Sequence, residues 1–189
     1  MNFWHLLNPV EWLKSTIKWI RRPNPKFYFE QKLSKNNENE YCHFRINTSA
    51  NNSPGWFFRL GINNHGKTAI FNSNVLVEKI EVLNSNENML ASSSTSFFLH
   101  WANENSDESR NIYSRTAVFL DLLFTIEGET NIFIYHKNKH SGAGINNCLP
   151  AGSYMIHLKL LGDNILPRKQ KVFVKFNGLI NGVEIKLID

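Results

Sequence analysis

From Lys26 onward, hydrophobic and polar residues alternate along the chain. Lys26–Leu33, Tyr41–Ile46 and Trp56–Ile62 each place apolar side chains on one face and polar ones on the other, as half-buried strands do. Asn74–Leu83, Phe97–Trp101, Val118–Ile126, Ile132–His136, Tyr154–Leu161, Lys171–Phe176 and Val183–Ile188 continue the series. Turn-forming residues separate them at Asn63–Gly66, Asn84–Asn86, Pro150–Gly152, Gly162–Asn164 and Asn177–Gly178, with longer polar stretches at Ala102–Arg110 and Lys137–Asn147. Short strands joined by turns, with no helical period between them, predict an all-β, antiparallel two-sheet sandwich over residues 26–189. Phe44, Trp56, Phe58, Leu60, Leu120, Leu122, Tyr154, Ile156 and Val174 are its expected core.

The pattern before Pro23 is different. Asn8 suits an N-cap, Pro9 the first helical position and Glu11 the return bond of a capping box, while Leu7 and Trp12 suit a hydrophobic staple. Pro23 and Pro25 disfavour helix in the residues before them, so the helix should stop at Arg22. Its length is about 14 residues, roughly 21 Å, too short to span a bilayer. Leu6, Val10, Leu13, Ile17 and Ile20 form one aliphatic stripe. Trp12 and Trp19 lie about 100–140° away from it and make a second apolar face. Residues 1–25 also hold Trp4, so three of the chain's five tryptophans lie there, together with Lys14, Lys18, Arg21 and Arg22 against Glu11. Tryptophan beside Lys and Arg is the chemistry of a helix that lies on an anionic bilayer or in a partner's groove. The alternative is that both faces pack on the chain's own sandwich. The expected division is therefore a docking helix and Pro linker, 1–25, followed by the sandwich, 26–189.

Composition narrows the classes. The chain has 189 residues, 42% hydrophobic, with 14 Phe and only 2 Cys. That excludes a wholly disordered chain and a disulfide scaffold. Without a basic stretch, an apolar run and a small-residue cleavage site at its start, the chain is expected in the cytoplasm with reduced thiols, peripheral at the inner membrane face if the helix lies on lipid. The net charge of +5 is compatible with an anionic partner but does not demand one. The 26 asparagines fall where loops are expected and read as compositional bias.

Phe58–Ala69 carries a strand followed by Asn-x-Gly and a small residue. Leu149-Pro-Ala-Gly-Ser-Tyr154 leads into a strand and then into Gly162-Asp-Asn164. Together these passages resemble bacterial immunoglobulin-like sandwiches of the CARDB type. The resemblance implies an immunoglobulin-like fold and, because it rests on turn chemistry, says almost nothing about activity.

No catalytic constellation is present. His136-x3-His140 with Cys148 has acceptable zinc chemistry, but the intervening lysines and following glycines suit solvated loop histidines better, and no metal or cofactor is expected. Cys42 and His43 are strand neighbours whose side chains point to opposite faces, so they cannot form a dyad and Cys42 belongs in the core. Gly142-Ala-Gly144 lacks the following Lys-Ser/Thr and helix of a phosphate loop. Asp121 stands on an otherwise apolar strand, where it suits a turn or Arg115 better than acid–base catalysis. Anion binding has more support. Lys137, Lys139 and His140 share one loop, and Lys169, Lys171 and Lys175 share strand parity beside Arg168, with Tyr135 as a stacking surface. The same lysines would also serve as a solvated face or as protection for an edge strand.

Two functions compete on this reading. The first is a non-enzymatic interaction module whose helix docks on a membrane surface or partner protein. The second is a sensor or accessory subunit of a bacterial complex, with a defence complex as one context, that binds nucleotide or nucleic acid through its basic face.

Overall fold

The computed structural model describes residues 22–30, 43–47, 54–93, 96–102, 108–135, 148–179 and 182–189, with 43–47 and 54 described for the backbone alone. The expected N-terminal helix, the core place of Cys42 and the side chain of Phe44 lie outside the described residues. Among the described residues there is no helix, and therefore none long and apolar enough to cross a membrane.

In chain order the strands begin with β1 (Pro25–Tyr28), β2 (His43–Asn47), β3 (Pro54–Asn64), β4 (Ile70–Leu83) and β5 (Met89–Ser93). They continue with β6 (Phe97–Phe98), β7 (His100–Trp101), β8 (Arg110–Ile112), β9 (Ala117–Ile126) and β10 (Asn131–Ile134). β11 (Cys148–Pro150), β12 (Gly152–Leu161), β13 (Arg168–Phe176) and β14 (Val183–Ile188) complete the described set. The first sheet runs β1-β3-β9-β10-β11, with β2 also on β3 and β7 on β9. The second runs β14-β13-β12-β4-β5, with β6 and β8 also on β4. Every one of these pairings is antiparallel.

The inward residues of both sheets form one core. Phe58, Leu60, Ile62, Leu120 and Leu122 from the first sheet meet Val75, Val77, Ile156, Leu158, Val172 and Val174 from the second. All-β architecture and the strand alternation agree with the sequence pattern, and Phe58, Leu60, Leu120, Leu122, Tyr154, Ile156 and Val174 are buried as expected. Trp56 is not fully buried. It packs half-exposed on the rim of the core near the start of β3.

Other differences have a common origin in short-range geometry. Phe97–Trp101 is not one strand: β6 pairs β4 in the second sheet and β7 pairs β9 in the first. The chain crosses between sheets while Phe97, Leu99 and Trp101 all stay buried, so alternation survives the crossing. β5, β8 and β11 are strands that the pattern did not signal, being short or, in β5, exposed throughout. In β9 a bulge sets Phe58 opposite Leu123 and Arg59 opposite Asp121. The extra residue lets Leu122 and Leu123 both enter the core, which strict alternation forbids. Between β11 and β12 the chain passes from one sheet to the other at Ala151, and the Tyr154 hydroxyl donates to the Pro150 carbonyl at 2.7 Å to hold that corner.

Candidate functional site

One pole of the sandwich gathers the chain's entry at Arg22, the β3–β4 and β12–β13 connections and the segment between β8 and β9. Asn64, at the end of β3, organises it. Its side-chain oxygen accepts the Asn24 and Gly66 amides, each at 3.0 Å. Its side-chain nitrogen donates to Thr68 O at 2.8 Å and Ile112 O at 3.2 Å. Its backbone bonds Thr116 and Arg115. This asparagine is completely buried, so it is a structural keystone and no product of compositional bias in a loop. Gly66 packs directly on the backbone of Arg22, Pro23 and Asn24, where a Cβ would have no room. The entering segment is thereby clamped to the pole.

The neighbouring connection is equally fixed. Asn164 Oδ1 accepts the Phe71 amide at 3.1 Å and its Nδ2 donates to Ala69 O at 2.8 Å. Asp163 N donates to Phe71 O, and its carboxylate accepts from Asn72 Nδ2 at 2.6 Å. Asn72 N in turn donates to Asn111 Oδ1. These bonds put Phe71 between the 163–166 connection and the end of β8. Three large side chains at this pole face water: Phe71 is 47% exposed, Tyr113 61% and Leu166 83%. At the same pole a cleft of about 470 Å³ is lined by Arg22, Pro23, Pro25, Asn164, Ile165, Leu166, Pro167 and Arg168.

The cleft thus brings together Arg22 from the expected docking set and Arg168 from the basic β13 segment. Of the remaining docking residues, Trp4, Trp12, Trp19, Lys14, Lys18 and Arg21 lie outside the described residues. So do Lys137, Lys139 and His140 of the anion-binding set. No sequence signal marked the pole beyond its turn residues, because the bonds Asn24–Asn64, Asn64–Ile112 and Phe71–Asn164 that assemble it join residues 40 or more apart.

Lys169, Lys171 and Lys175 are exposed on the outer face of the second sheet, as their parity predicts, and none makes an ion pair among the described residues. Their neighbours are compensated. Lys159 Nζ lies 3.0 Å from Glu78, and its hydrogen bond draws the Glu78 carboxyl below the usual range. Lys79 at 2.5 Å and then His157 do the same for Glu81. His157 Nε2 lies 3.0 Å from Glu81 Oε2, at ion-pair distance without the alignment of a hydrogen bond. Lys186 bonds Glu184 at 2.5 Å, lowering the carboxyl and raising the ammonium.

Tyr135 does not join these lysines. It belongs to the outer face of the other sheet, where its ring meets Phe57, Phe124 and His100 edge-on. Phe57, Phe124 and Phe133 stack in a row there, and Cys148 stands opposite Phe133. Asp121 is likewise engaged, with Arg59 rather than Arg115, and Arg115 instead takes a left-handed backbone at φ 60°. Among the described residues no cluster of His, Cys, Asp and Glu is arranged to hold a metal.

No protein-family model matches the chain, and no curated protein matches it.

Proposed function

We propose that the protein is a non-enzymatic binding module, an immunoglobulin-like sandwich that docks through its N-terminal segment and the pole into which that segment leads. The observation that carries this reading is that exposed Leu166 shares a cleft with Arg22 and Arg168, at the pole where Phe71 and Tyr113 are exposed as well. Apolar side chains rimmed by cations are the composition of a docking surface. The Tyr154–Pro150 bond supports the immunoglobulin-like assignment, since a tyrosine corner is a device of such sandwiches. The clamp at Gly66 supports a joint role for segment and pole, because it fixes Arg22, Pro23 and Asn24, which follow the Trp-rich stretch in sequence, against the pole. On this reading the protein works in the cytoplasm, on a partner protein or at the inner membrane face.

The test replaces Phe71 and Tyr113 together by Ser. Association is read on vesicles containing an anionic lipid at several salt concentrations, and on the protein partner that co-purifies with the wild-type chain. The double variant should lose the association that wild type shows while keeping its thermal midpoint. Undiminished association would refute the docking role of the pole.

A second reading is favoured by Lys169, Lys171 and Lys175, exposed together on one face: an accessory subunit of a bacterial complex that contacts nucleotide or nucleic acid through this face. Salt-dependent retention on a polyanion, weakened by reversing those three charges, is its signature.

A further inference from the structure

We infer that β14 is the seat of a two-fold dimer, in which the same strand of a second copy adds antiparallel to its open side and joins the two second sheets into one. The inference goes beyond the docking reading, since β14 shares no residue with the pole. On its described path the second sheet ends in β14 and β5. β5 is interrupted by a bulge beside Leu83. β14 is regular: its six residues pair β13 in unbroken register, from Val183 opposite Phe176 to Ile188 opposite Lys171. Among the described residues β13 is its one strand neighbour. A strand held regularly on one side presents on the other a row of backbone N–H and C=O groups that a further strand can take up.

The pattern of β14 selects that strand. Val183 and Ile185 are buried in the core and Leu187 packs half-buried against it. Glu184 and Lys186 stand on the outer face, their charged groups 2.5 Å apart. Antiparallel pairing centred on Ile185 sets Glu184 opposite the second copy's Lys186, and Lys186 opposite its Glu184. It also sets Ile185 against Ile185 and Val183 against Leu187, so the apolar inner row continues across the junction. Glu184 then lies between two ammonium groups, because Lys175 is its register partner on β13. Sliding the strands by two residues in either direction keeps the faces but opposes Glu184 to Glu184 or Lys186 to Lys186, which is repulsive.

The charges also explain why a second copy is favoured over a foreign strand. A lysine on an edge strand ordinarily guards it against pairing. Lys186 keeps that effect against any strand without a carboxylate at this register, and loses it against a copy of its own.

Sedimentation velocity on the full chain, followed from micromolar to millimolar concentration, tests the pairing. Wild type should pass from monomer to dimer. Lys186→Glu alone opposes carboxylate to carboxylate and Glu184→Lys alone opposes ammonium to ammonium, so each should weaken the dimer about tenfold or more. An equimolar mixture of these two variants should dimerise again, because the two carboxylates of one chain then meet the two ammonium groups of the other. Thermal midpoints check that each variant folds. Phe71→Ser with Tyr113→Ser should dimerise as wild type does, which separates this edge from the docking pole. A wild type that stays monomeric overturns the inference and leaves the edge to a strand of another protein. Single variants that dimerise undiminished, a mixture that stays monomeric, or a dimer lost with the pole variant overturn it as well.

Discussion

Arg59 Nε donates a 2.7 Å hydrogen bond to Asp121 Oδ1 across the β9 bulge, with both side chains more than nine-tenths buried. The pair explains how a carboxylate survives on the most apolar strand of the chain. Asp121→Ala would take the partner carboxylate away from a buried guanidinium, so it should destabilise the fold by about 3–5 kcal/mol in urea denaturation. Arg59→Met with Asp121→Leu should recover most of that loss, since removing both charges removes the desolvation cost as well. A double variant no better than the single one would contradict this account.

Tyr154→Phe deletes only the bond to Pro150 O. A loss of about 1 kcal/mol is expected, or a thermal midpoint lower by about 2–4 °C. Burial first, and then the nearby Cys148, push the Tyr154 hydroxyl above its usual value of 10.0. A raised folded value means that its contribution is complete below pH 10.0 and disappears as pH rises through the folded value. The phenylalanine variant should therefore show a flatter alkaline limb in a stability–pH profile.

Glu81 acts in the opposite direction. The hydrogen bond from Lys79, then the close approach of His157, lowers its carboxyl from 4.5. Its stabilisation is present above pH 4.5 and is lost as pH falls through the depressed folded value. Glu81→Gln should soften the acid unfolding limb below pH 4.5 and lower stability at neutral pH, as measured by urea midpoints at stepped pH.

Asn64→Leu keeps approximate size but removes the acceptor of the buried Gly66 amide and of the Asn24 amide, and the donor to the Thr68 and Ile112 carbonyls. At about 1–3 kcal/mol for an unsatisfied buried group, a loss of about 3 kcal/mol or more is expected. Gly66→Ala should cost less stability than Asn64→Leu but push Arg22–Asn24 away from the pole, visible as faster exchange of the Asn24 and His65 amides.

Trp12→Ala with Trp19→Ala should weaken association with vesicles or partner while the sandwich keeps its thermal midpoint. Raised ionic strength should weaken the vesicle arm further, because four basic residues of the segment supply the lipid attraction. Unfolding of the sandwich with association untouched would mean that both helix faces are core.

Much of the strand inventory was legible because a pleated strand turns alternate side chains to opposite faces, and the chain writes that period directly. Lys169, Lys171 and Lys175 were placed correctly on the outside by parity alone. Turn chemistry at Pro150–Tyr154 also read correctly, since the donor and acceptor of that corner are only four residues apart.

Alternation assigns a face but names no neighbour, and that limit accounts for what was missed. Asp121 was set near Arg115 by proximity in sequence, whereas its partner Arg59 lies 62 residues away and is reached only through the β3–β9 register. Tyr135 and the β13 lysines were grouped as one surface, whereas the sheets hold them on opposite outer faces. Asn64 looked like any turn asparagine until segments from across the chain converged on its amide. The Arg22–Arg168 cleft exists only because the N-terminal segment is clamped beside the β12–β13 connection. Local sequence thus determined the strands, their faces and the turn at Tyr154. Long-range hydrogen-bond register, which depends on how distant strands add to a sheet, decided which charges meet and which segments converge at the pole.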